Sequence, residues 1–324
     1  MEHVSVLKSE VINQFDYLQE KGGVFVDGTL GLAGHSLAVL QSLKNKDQLK
    51  IIGIDADQQA LDGTEKIISK SGFAANFILI HNNFKNVNGI INELNIDKID
   101  GALLDLGVSS MQFDQKERGF SFQDPEQLLD MRMDRSNYLT AEIVLNNYPA
   151  EKLTKILYDY GEERFAAGIV KNIIDSRKKS PIRKVGDLLE VLSNSIPKAF
   201  QMRSKIHFAT KTFQALRIEV NNELTGLDGA IRDFVSVLKP GGKLAIISFH
   251  SLEDRVVKKT FQALESPCQC PAKMPCVCGL KPEIKILTKK PIIPTNQEIA
   301  INPRSRSAKL RVAEKLDQGL KTND

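Results

Sequence analysis

A glycine-rich turn and an acid that follows it are the residues best placed to do chemistry. Residues 27–36 read Asp-Gly-Thr-Leu-Gly-Leu-Ala-Gly-His-Ser and come directly after the apolar run 24–26. Glycines allow a tight turn between a strand and a helix, and they let the backbone approach a ligand closely. Asp55 ends the next apolar run, about 20 residues after the turn, the spacing at which an acid meets the hydroxyls of a bound ribose. The pattern predicts a nucleoside-containing cofactor.

The glycine spacing differs from the dinucleotide fingerprint. Leu30 stands where G-x-G-x-x-G, counted from Gly28, requires a glycine. A nicotinamide oxidoreductase is therefore a poor interpretation of the turn. A turn with a purely structural purpose is the alternative to any cofactor, and Asp55 at the following strand end favours the cofactor.

Continuous apolar runs that alternate with helical patterns indicate a parallel sheet buried on both faces. These runs occupy residues 24–26, 50–54, 77–80, 101–104 and 243–248. Two shorter runs near the end of the chain, 284–287 and 308–312, predict a pair of edge strands.

Polar and aromatic residues recur where the predicted strands end. Asp27, Asp55, Phe84 and Asp105 follow the first four runs, and His250 follows the fifth. Ligands of open parallel sheets bind beyond the carboxyl ends of the strands. We therefore expect these side chains at one edge of the sheet, where the cofactor would lie.

A middle segment interrupts this α/β pattern. We predict one discontinuous core, residues 1–110 and 211–324, and an inserted helical domain, residues 111–210. Residues 141–211 carry thirteen Lys and Arg against eight Asp and Glu. A local basic excess suits a polyanion such as RNA, and solvated helix faces are the alternative.

Composition predicts a cytoplasmic protein. The chain has 324 residues, of which 42% are hydrophobic. No apolar run approaches the roughly 18 residues of a membrane span, so no membrane partner is expected, and the N-terminus lacks the pattern of a signal peptide. The oligomeric state stays open.

The four cysteines lie within one short stretch. Cys268, Cys270, Cys276 and Cys278 form two C-x-C pairs among prolines, unlike a disulfide framework spread over a secreted protein. Four thiolates suit tetrahedral zinc, although paired metal cysteines more often lie two to four residues apart. A reduced structural loop is the alternative, and no metal is assigned from the sequence.

Longer strings of residues resemble the bacterial 16S ribosomal RNA (cytosine-N4)-methyltransferase family. Asp-Leu-Gly-Val-Ser-Ser at 105–110 and Ser-Phe-His-Ser-Leu-Glu-Asp-Arg at 248–255 are the most specific. Further matching pieces span nearly the whole chain and lie at 3–10, 27–36, 100–112, 118–122, 129–134, 160–164, 212–218 and 304–311.

The resemblance implies a Rossmann-like methyltransferase core with an inserted helical substrate-recognition domain. It implies an enzyme that uses S-adenosylmethionine to methylate the exocyclic N4 of cytosine 1402 in 16S rRNA. The small ribosomal subunit is the expected partner, and the sequence leaves open whether the substrate is naked RNA or the assembled subunit. The cofactor contacts that it implies fall on Ala33, Gly34, His35, Asp55, Phe84, Asp105 and Gln112.

Two residues are hypotheses for a direct part in the reaction. Asp105 is placed to accept a hydrogen bond from the target amine or from the cofactor's amine, and a carboxylate that only caps its loop is the alternative. His250 is placed to touch base or phosphate, and a structural histidine is the alternative. A non-catalytic RNA-binding ribosome-assembly factor with a relic cofactor pocket is the other function that these features allow.

The chain departs from the family's pattern in a few positions. Ala33 stands where the family usually has glycine, so any contact carried over to Ala33 rests on its backbone. Ser5 and Phe208 stand where proline is usual, and Lys211 where arginine is usual.

Overall fold

The chain folds into two compact units. The computed structural model describes residues 5–107, 118–204, 206–271 and 277–317. The first unit joins Met1–Gly107 to Gly226–Asp324, and the second is Val108–Thr225. None of the described helices is long and apolar enough to cross a membrane.

The first unit is built on one seven-stranded sheet with the order β3-β2-β1-β4-β5-β7-β6. Its strands are β1 Gly23–Asp27, β2 Leu49–Asp55, β3 Phe77–His81, β4 Ile99–Asp105, β5 Leu238–Ser248, β6 Ile284–Ile286 and β7 Lys309–Lys315. The first five pair in parallel, and β7 pairs antiparallel with both β5 and β6. The predicted α/β class and its parallel sheet are confirmed.

Both faces of this sheet are covered, which explains why its strands are continuously apolar. Neighbouring residues of one strand enter opposite clusters: Val26 belongs to one and Phe25 to the other, as do Leu104 and Leu103. The helices around the sheet are α1 Lys8–Gln14, α2 Leu18–Lys21, α3 Gly34–Ser42, α4 Gln58–Ser71, α5 Val87–Glu93, α12 Leu227–Val237, α13 Ser251–Glu265 and α14 Asn296–Ile301.

The second unit has its own apolar core, and its described helices begin at Ala141, after a stretch of turns and loops from residue 118 to 140. Its helices are α6 Ala141–Asn147, α7 Ala150–Asp159, α8 Ala166–Arg177, α9 Val185–Ser195, α10 Lys198–Arg203 and α11 Thr210–Asn221. Arg118 is fully buried there, and its guanidinium donates to the carbonyls of Arg132 and Met133 at 2.9 and 3.0 Å.

The structure differs from the sequence-based expectations in three places. The first is β3, which the apolar pattern predicts to be buried but which is an outer strand and only half-buried. Only β6 is an edge strand at the end of the chain, because β7 lies between β5 and β6. The second unit runs to Thr225 rather than 210, since Phe213, Leu216 and Val220 of α11 belong to the helical core.

Candidate cofactor site

Asp55 ties the glycine-rich turn to the carboxyl end of β2. Its Oδ2 accepts from the backbone N–H of Gly31 at 2.8 Å, and its Oδ1 accepts from that of Asp57, also at 2.8 Å. Gly31 has φ 53°, in the left-handed region that favours glycine. Burial raises the pKa of Asp55 to about 6, against the lowering effect of the two N–H donors. Each carboxylate oxygen keeps a further lone pair for a ligand hydroxyl.

Asp27, at the end of β1, is satisfied inside the protein. It is buried, and its carboxylate accepts from Ser36 Oγ at 2.6 Å and from the backbone N–H of Thr29 at 3.2 Å. Burial raises the pKa of this carboxyl. The Thr29 Oγ1 in turn accepts from the N–H of Asp105 at 2.6 Å. These bonds fix the start of α3 and the turn against the ends of β1 and β4.

The buried His35 and the half-buried Asp105 form a polar pair with unused hydrogen-bonding capacity. His35 lies in the first turn of α3, and its Nε2 is 3.5 Å from Asp105 Oδ2 at the end of β4. Neither ring nitrogen of His35 nor the Oδ1 of Asp105 has a hydrogen-bond partner among the described residues. Leaving such groups unpaired is costly. A ligand that brings both donors and acceptors would satisfy them.

Phe84 lies beside the turn, at the start of the short 3₁₀ helix Phe84–Asn86 that follows β3. It is half-buried against the core cluster of one sheet face. A Cβ added at Gly28 would lie 2.4 Å from Leu104 Cδ2 and 3.1 Å from Phe84 Cβ. A larger residue at position 28 would clash with the side chains of Leu104 and Phe84. Phe84 is only half-buried, so part of its side chain can contact a planar base.

Ala33 and Gly34 contribute backbone at the start of α3. Ala33 is the residue before the helix, is fully buried, and has φ 59° and ψ 24°. The left-handed conformation explains why glycine suits this position. A side chain longer than the methyl group of alanine would have to be packed inside the turn.

His250 acts as a helix cap in the structure. Its Nδ1 accepts from the backbone N–H of Glu253 at 3.3 Å, and its Nε2 lies 3.1 Å from Glu253 Oε1. Glu253 reciprocates, since its Oε2 accepts from the backbone N–H groups of Phe249 and His250. This capping box is sufficient reason for a histidine here. A part in the reaction stays a prediction.

The remaining predicted residues do not enter this description of the site. Gln112 and Cys276 fall outside the described residues. Cys268, Cys270 and Cys278 come after α13 and not at this edge of the sheet. Sequence reasoning missed the parts of Thr29 and Ser36, although both lie inside the glycine-rich string that it singled out.

The parallel sheet and the groups at its edge suit a nucleoside-containing cofactor, and the sequence match establishes the class of protein, an S-adenosylmethionine-dependent methyltransferase. The sequence profile of the MraW methylase family matches residues 1–316. The chain belongs to this family. The predicted family and the predicted cofactor, S-adenosylmethionine, are thereby confirmed.

Two similar curated proteins carry the same name, ribosomal RNA small subunit methyltransferase H. The ribosomal RNA small subunit methyltransferase H of Clostridium botulinum (strain 657 / Type Ba4) is 49% identical over 315 residues, covering 97% of this chain and 99% of its own. The protein of the same name from Carboxydothermus hydrogenoformans is 45% identical, and the match covers 97% of this chain and 98% of that protein. Among solved structures, an rRNA methylase from Streptococcus thermophilus is 14% identical with a TM-score of 0.42, covering 98% of this chain and 100% of its own. The predicted class of enzyme, a ribosomal RNA methyltransferase, is confirmed at the level of the family.

The site fits this cofactor on the chemistry of its groups. S-adenosylmethionine carries an ammonium and a carboxylate on its amino-acid part, two ribose hydroxyls and an adenine ring. The unpaired Oδ1 of Asp105 is an acceptor for an ammonium, and a ring nitrogen of His35 can donate to a carboxylate. Asp55 offers acceptors to the hydroxyls, and Phe84 offers an aromatic face to the adenine.

Proposed function

We propose that this chain methylates the exocyclic N4 of cytosine 1402 in 16S rRNA, with the small ribosomal subunit as its substrate. The observation that carries the proposal is the similarity of 49% over 97% of the chain to a ribosomal RNA small subunit methyltransferase H. The strings at 105–110 and 248–255, on which the resemblance to the cytosine-N4 enzymes rests, support the choice of base and atom.

The cofactor contacts in this proposal are His35, Asp55, Phe84 and Asp105, with backbone contacts at Ala33 and Gly34. S-adenosylmethionine supplies the methyl group when it is bound. His35 is buried and Asp105 is half-buried, and three of their polar atoms have no hydrogen-bond partner among the described residues, so the two side chains are preorganised to hold a charged group. Gln112 enters on the resemblance alone.

Asp105 is also the best-placed acceptor for the target amine. The N4 lone pair of cytosine is delocalised into the ring, so the amine is a poor nucleophile, and an acceptor for its protons helps it to react. The Oδ1 of Asp105 has no hydrogen-bond partner among the described residues, so it can accept a hydrogen bond from the target amine or from the cofactor. The resemblance favours the cofactor contact, and the two roles differ in what a mutation changes.

The second unit is the proposed RNA-docking part of the chain. Arg177 is committed to the fold, because its Nη1 donates to the carbonyls of Leu145 and Tyr148 at 2.8 Å each. Lys178 and Lys179 are exposed at the end of α8. The ion pair between Lys178 and Asp175, at 3.3 Å, is solvent-exposed and therefore weak. These lysines are available for phosphates.

A stack of one exposed and two half-buried rings in the same unit supports contact with unpaired bases. His207 is exposed and stacks on Phe122 with 4.5 Å between ring centroids and 12° between planes. Phe208 adds a second ring at 4.3 Å from that of His207. Single-stranded RNA is commonly bound by stacking of its bases on such rings.

A non-catalytic assembly factor is the competing proposal, and it makes a different prediction for the RNA. Nucleoside mass spectrometry of 16S rRNA from a strain lacking this protein distinguishes the two proposals. The measurement is mapped to the fragment that contains position 1402. We expect N4 methylation of that cytosine to disappear and to return with the wild-type gene but not with Asp105→Asn. Unchanged methylation in the deletion strain rules out the proposed function.

A further inference from the structure

The loop between α13 and β6 brings three cysteine sulfurs together. The Sγ atoms of Cys268, Cys270 and Cys278 all lie within 4.8 Å of one another. A tetrahedral zinc ion with Zn–S bonds of about 2.3 Å places its sulfur ligands about 3.8 Å apart. Each sulfur therefore has to move by no more than about 1 Å to reach bonding distance of one ion.

We propose that Cys268, Cys270 and Cys278 bind a structural zinc ion. A disulfide bond joins only two sulfurs, so it would not explain why the third sulfur lies close to the other two. Zinc accounts for all three, and its fourth position takes a further donor. The sequence contains a further thiol, Cys276, which lies outside the described residues.

A backbone hydrogen bond within the loop reaches one of these sulfurs. The N–H of Val277 donates to Cys270 Sγ at 3.4 Å. Hydrogen bonds to the ligating atoms are a regular part of metal sites, since they orient the ligand and stabilise its charge. Pro267 and Pro271 flank the first cysteine pair and restrict the backbone on either side.

The position of the cluster assigns it a structural purpose. Helix α13 starts at the sheet edge that holds the cofactor groups and has 15 residues, so its other end lies about 22 Å further along its axis. The cysteines follow that other end. Zinc sites with three or four cysteine ligands and a filled fourth position are structural, whereas catalytic zinc keeps an open position for water or substrate.

The ion would close a long loop whose described large apolar side chains are exposed. The loop ends are joined, because the N–H of Glu283 donates to the carbonyl of Leu264 at 2.9 Å, and that of Ile286 donates to Glu265 Oε1 at 2.7 Å. Between them, among the described residues, Val277 is 88% exposed and Leu280 is 50% exposed. A metal staple would order this stretch without an apolar core.

Metal analysis of the full-length protein tests the proposal. Protein purified without chelator should hold about one zinc per chain, and Cys268→Ser, Cys270→Ser and Cys278→Ser should each weaken zinc binding by more than about tenfold. Gln269→Ala, an exposed residue between two of the cysteines, is the matched control and should keep its zinc. Zinc at the background level in wild type, or equal zinc in the serine variants, overturns the proposal.

A second measurement covers the case in which a serine variant does not fold. Wild-type protein reloaded with Co²⁺ should show thiolate-to-metal charge-transfer absorption, and its thiols should resist alkylation until chelator is added. Mass mapping should find Cys268, Cys270 and Cys278 among the protected thiols. Absence of the thiolate band together with chelator-independent alkylation, or isolation of a disulfide in place of bound metal, contradicts a zinc site.

Discussion

Asp55 has two tasks at the residue scale, since its carboxylate holds the turn and remains an acceptor for a ribose. Replacing it with alanine should weaken S-adenosylmethionine binding by about 1.5–3 kcal/mol, because a charged acceptor is lost. Calorimetry measures the affinity directly. Asp57→Ala is the matched control: Asp57 accepts from the N–H of Gln59 at the start of α4, so its loss should lower stability and leave the affinity within about twofold. Equal affinities for wild type and Asp55→Ala would refute the ribose contact.

The raised pKa of Asp55 has a consequence for stability. Its value of about 6 in the folded chain lies above the roughly 3.9 of an unfolded aspartate. The folded state therefore binds more protons between these values, and its stability falls as pH rises from about 4 to about 6. The two-unit difference corresponds to at most about 3 kcal/mol.

Denaturation of the cofactor-free protein at pH 5 and pH 7 measures this effect. Other buried acids, Asp27 among them, shift in the same direction, so the quantity to compare is the difference between wild type and Asp55→Asn. We expect wild type to lose more free energy of unfolding than the variant between the two pH values. Identical losses would mean that Asp55 does not titrate in this window.

Asp105 is the residue whose role a single variant can resolve. Asp105→Asn keeps the shape, removes the charge and replaces one acceptor by a donor. If Asp105 mainly holds the cofactor, affinity should fall first, and we expect this outcome. If it mainly serves the target amine, single-turnover methylation should slow while affinity stays near wild type. Both are measured on one preparation, and a variant that is normal in both assays leaves Asp105 as a loop cap only.

At the scale of elements, Ala33 shows how a helix start is adapted to a cofactor turn. Its left-handed backbone costs about 1–2 kcal/mol for a residue with a Cβ. Ala33→Gly relieves this strain but loses a buried methyl, worth about 0.8 kcal/mol, and adds freedom to the unfolded chain, about 0.4–1 kcal/mol. The net change should be under about 1 kcal/mol.

Ala38→Gly is the matched control, because Ala38 is buried within α3 and has helical neighbours on both sides. There glycine lowers stability by about 1 kcal/mol through helix propensity and loses the same methyl. Urea denaturation should therefore place Ala38→Gly at least about 1 kcal/mol below Ala33→Gly. Equal losses would show that position 33 carries no strain.

The local hydrophobic pattern of the sequence predicts the positions of those strands whose residues are buried along most of their length. The runs of β1, β2, β4 and the second half of β5 are apolar on both faces, so their positions could be read directly. The pattern also predicted a buried β3, but β3 is the outer strand and only half-buried. The interior position of β7 could not be predicted, because strand order depends on tertiary pairing and not on local periodicity.

The same limit applies to the site. Asp55, Phe84 and Asp105 could be predicted because each follows a strand, and parallel strands end at one edge. The capping bond of His250 and the convergence of three cysteines depend on how α13 starts and how the loop after it returns to β6. The spacing of the cysteines suggests a shared metal, but it does not show which sulfurs converge or that His250 caps α13.

At the scale of the whole molecule, the two units divide the work of the proposed reaction. The chain leaves the first unit at Gly107, two residues after Asp105, and returns at Gly226. An insertion at the carboxyl end of a strand leaves the sheet pairing intact, which is why such positions accept large additions. The insertion contributes the basic residues, and the sheet contributes the cofactor groups.

Salt dependence of binding tests whether the second unit docks RNA. Each lost phosphate contact lowers the salt slope by about 0.7–0.9, so the double variant Lys178→Ala, Lys179→Ala should reduce it by about 1.5 and weaken binding at moderate salt. Small ribosomal subunits from a strain lacking this protein are the ligand.

The matched control is the double variant Lys66→Ala, Lys70→Ala, which replaces two exposed lysines on α4 of the first unit. It removes the same charge and should leave the slope unchanged. A slope equal to that of wild type in the first variant would make Lys178 and Lys179 ordinary solvated side chains, and equal reductions in both variants would make the effect one of net charge alone.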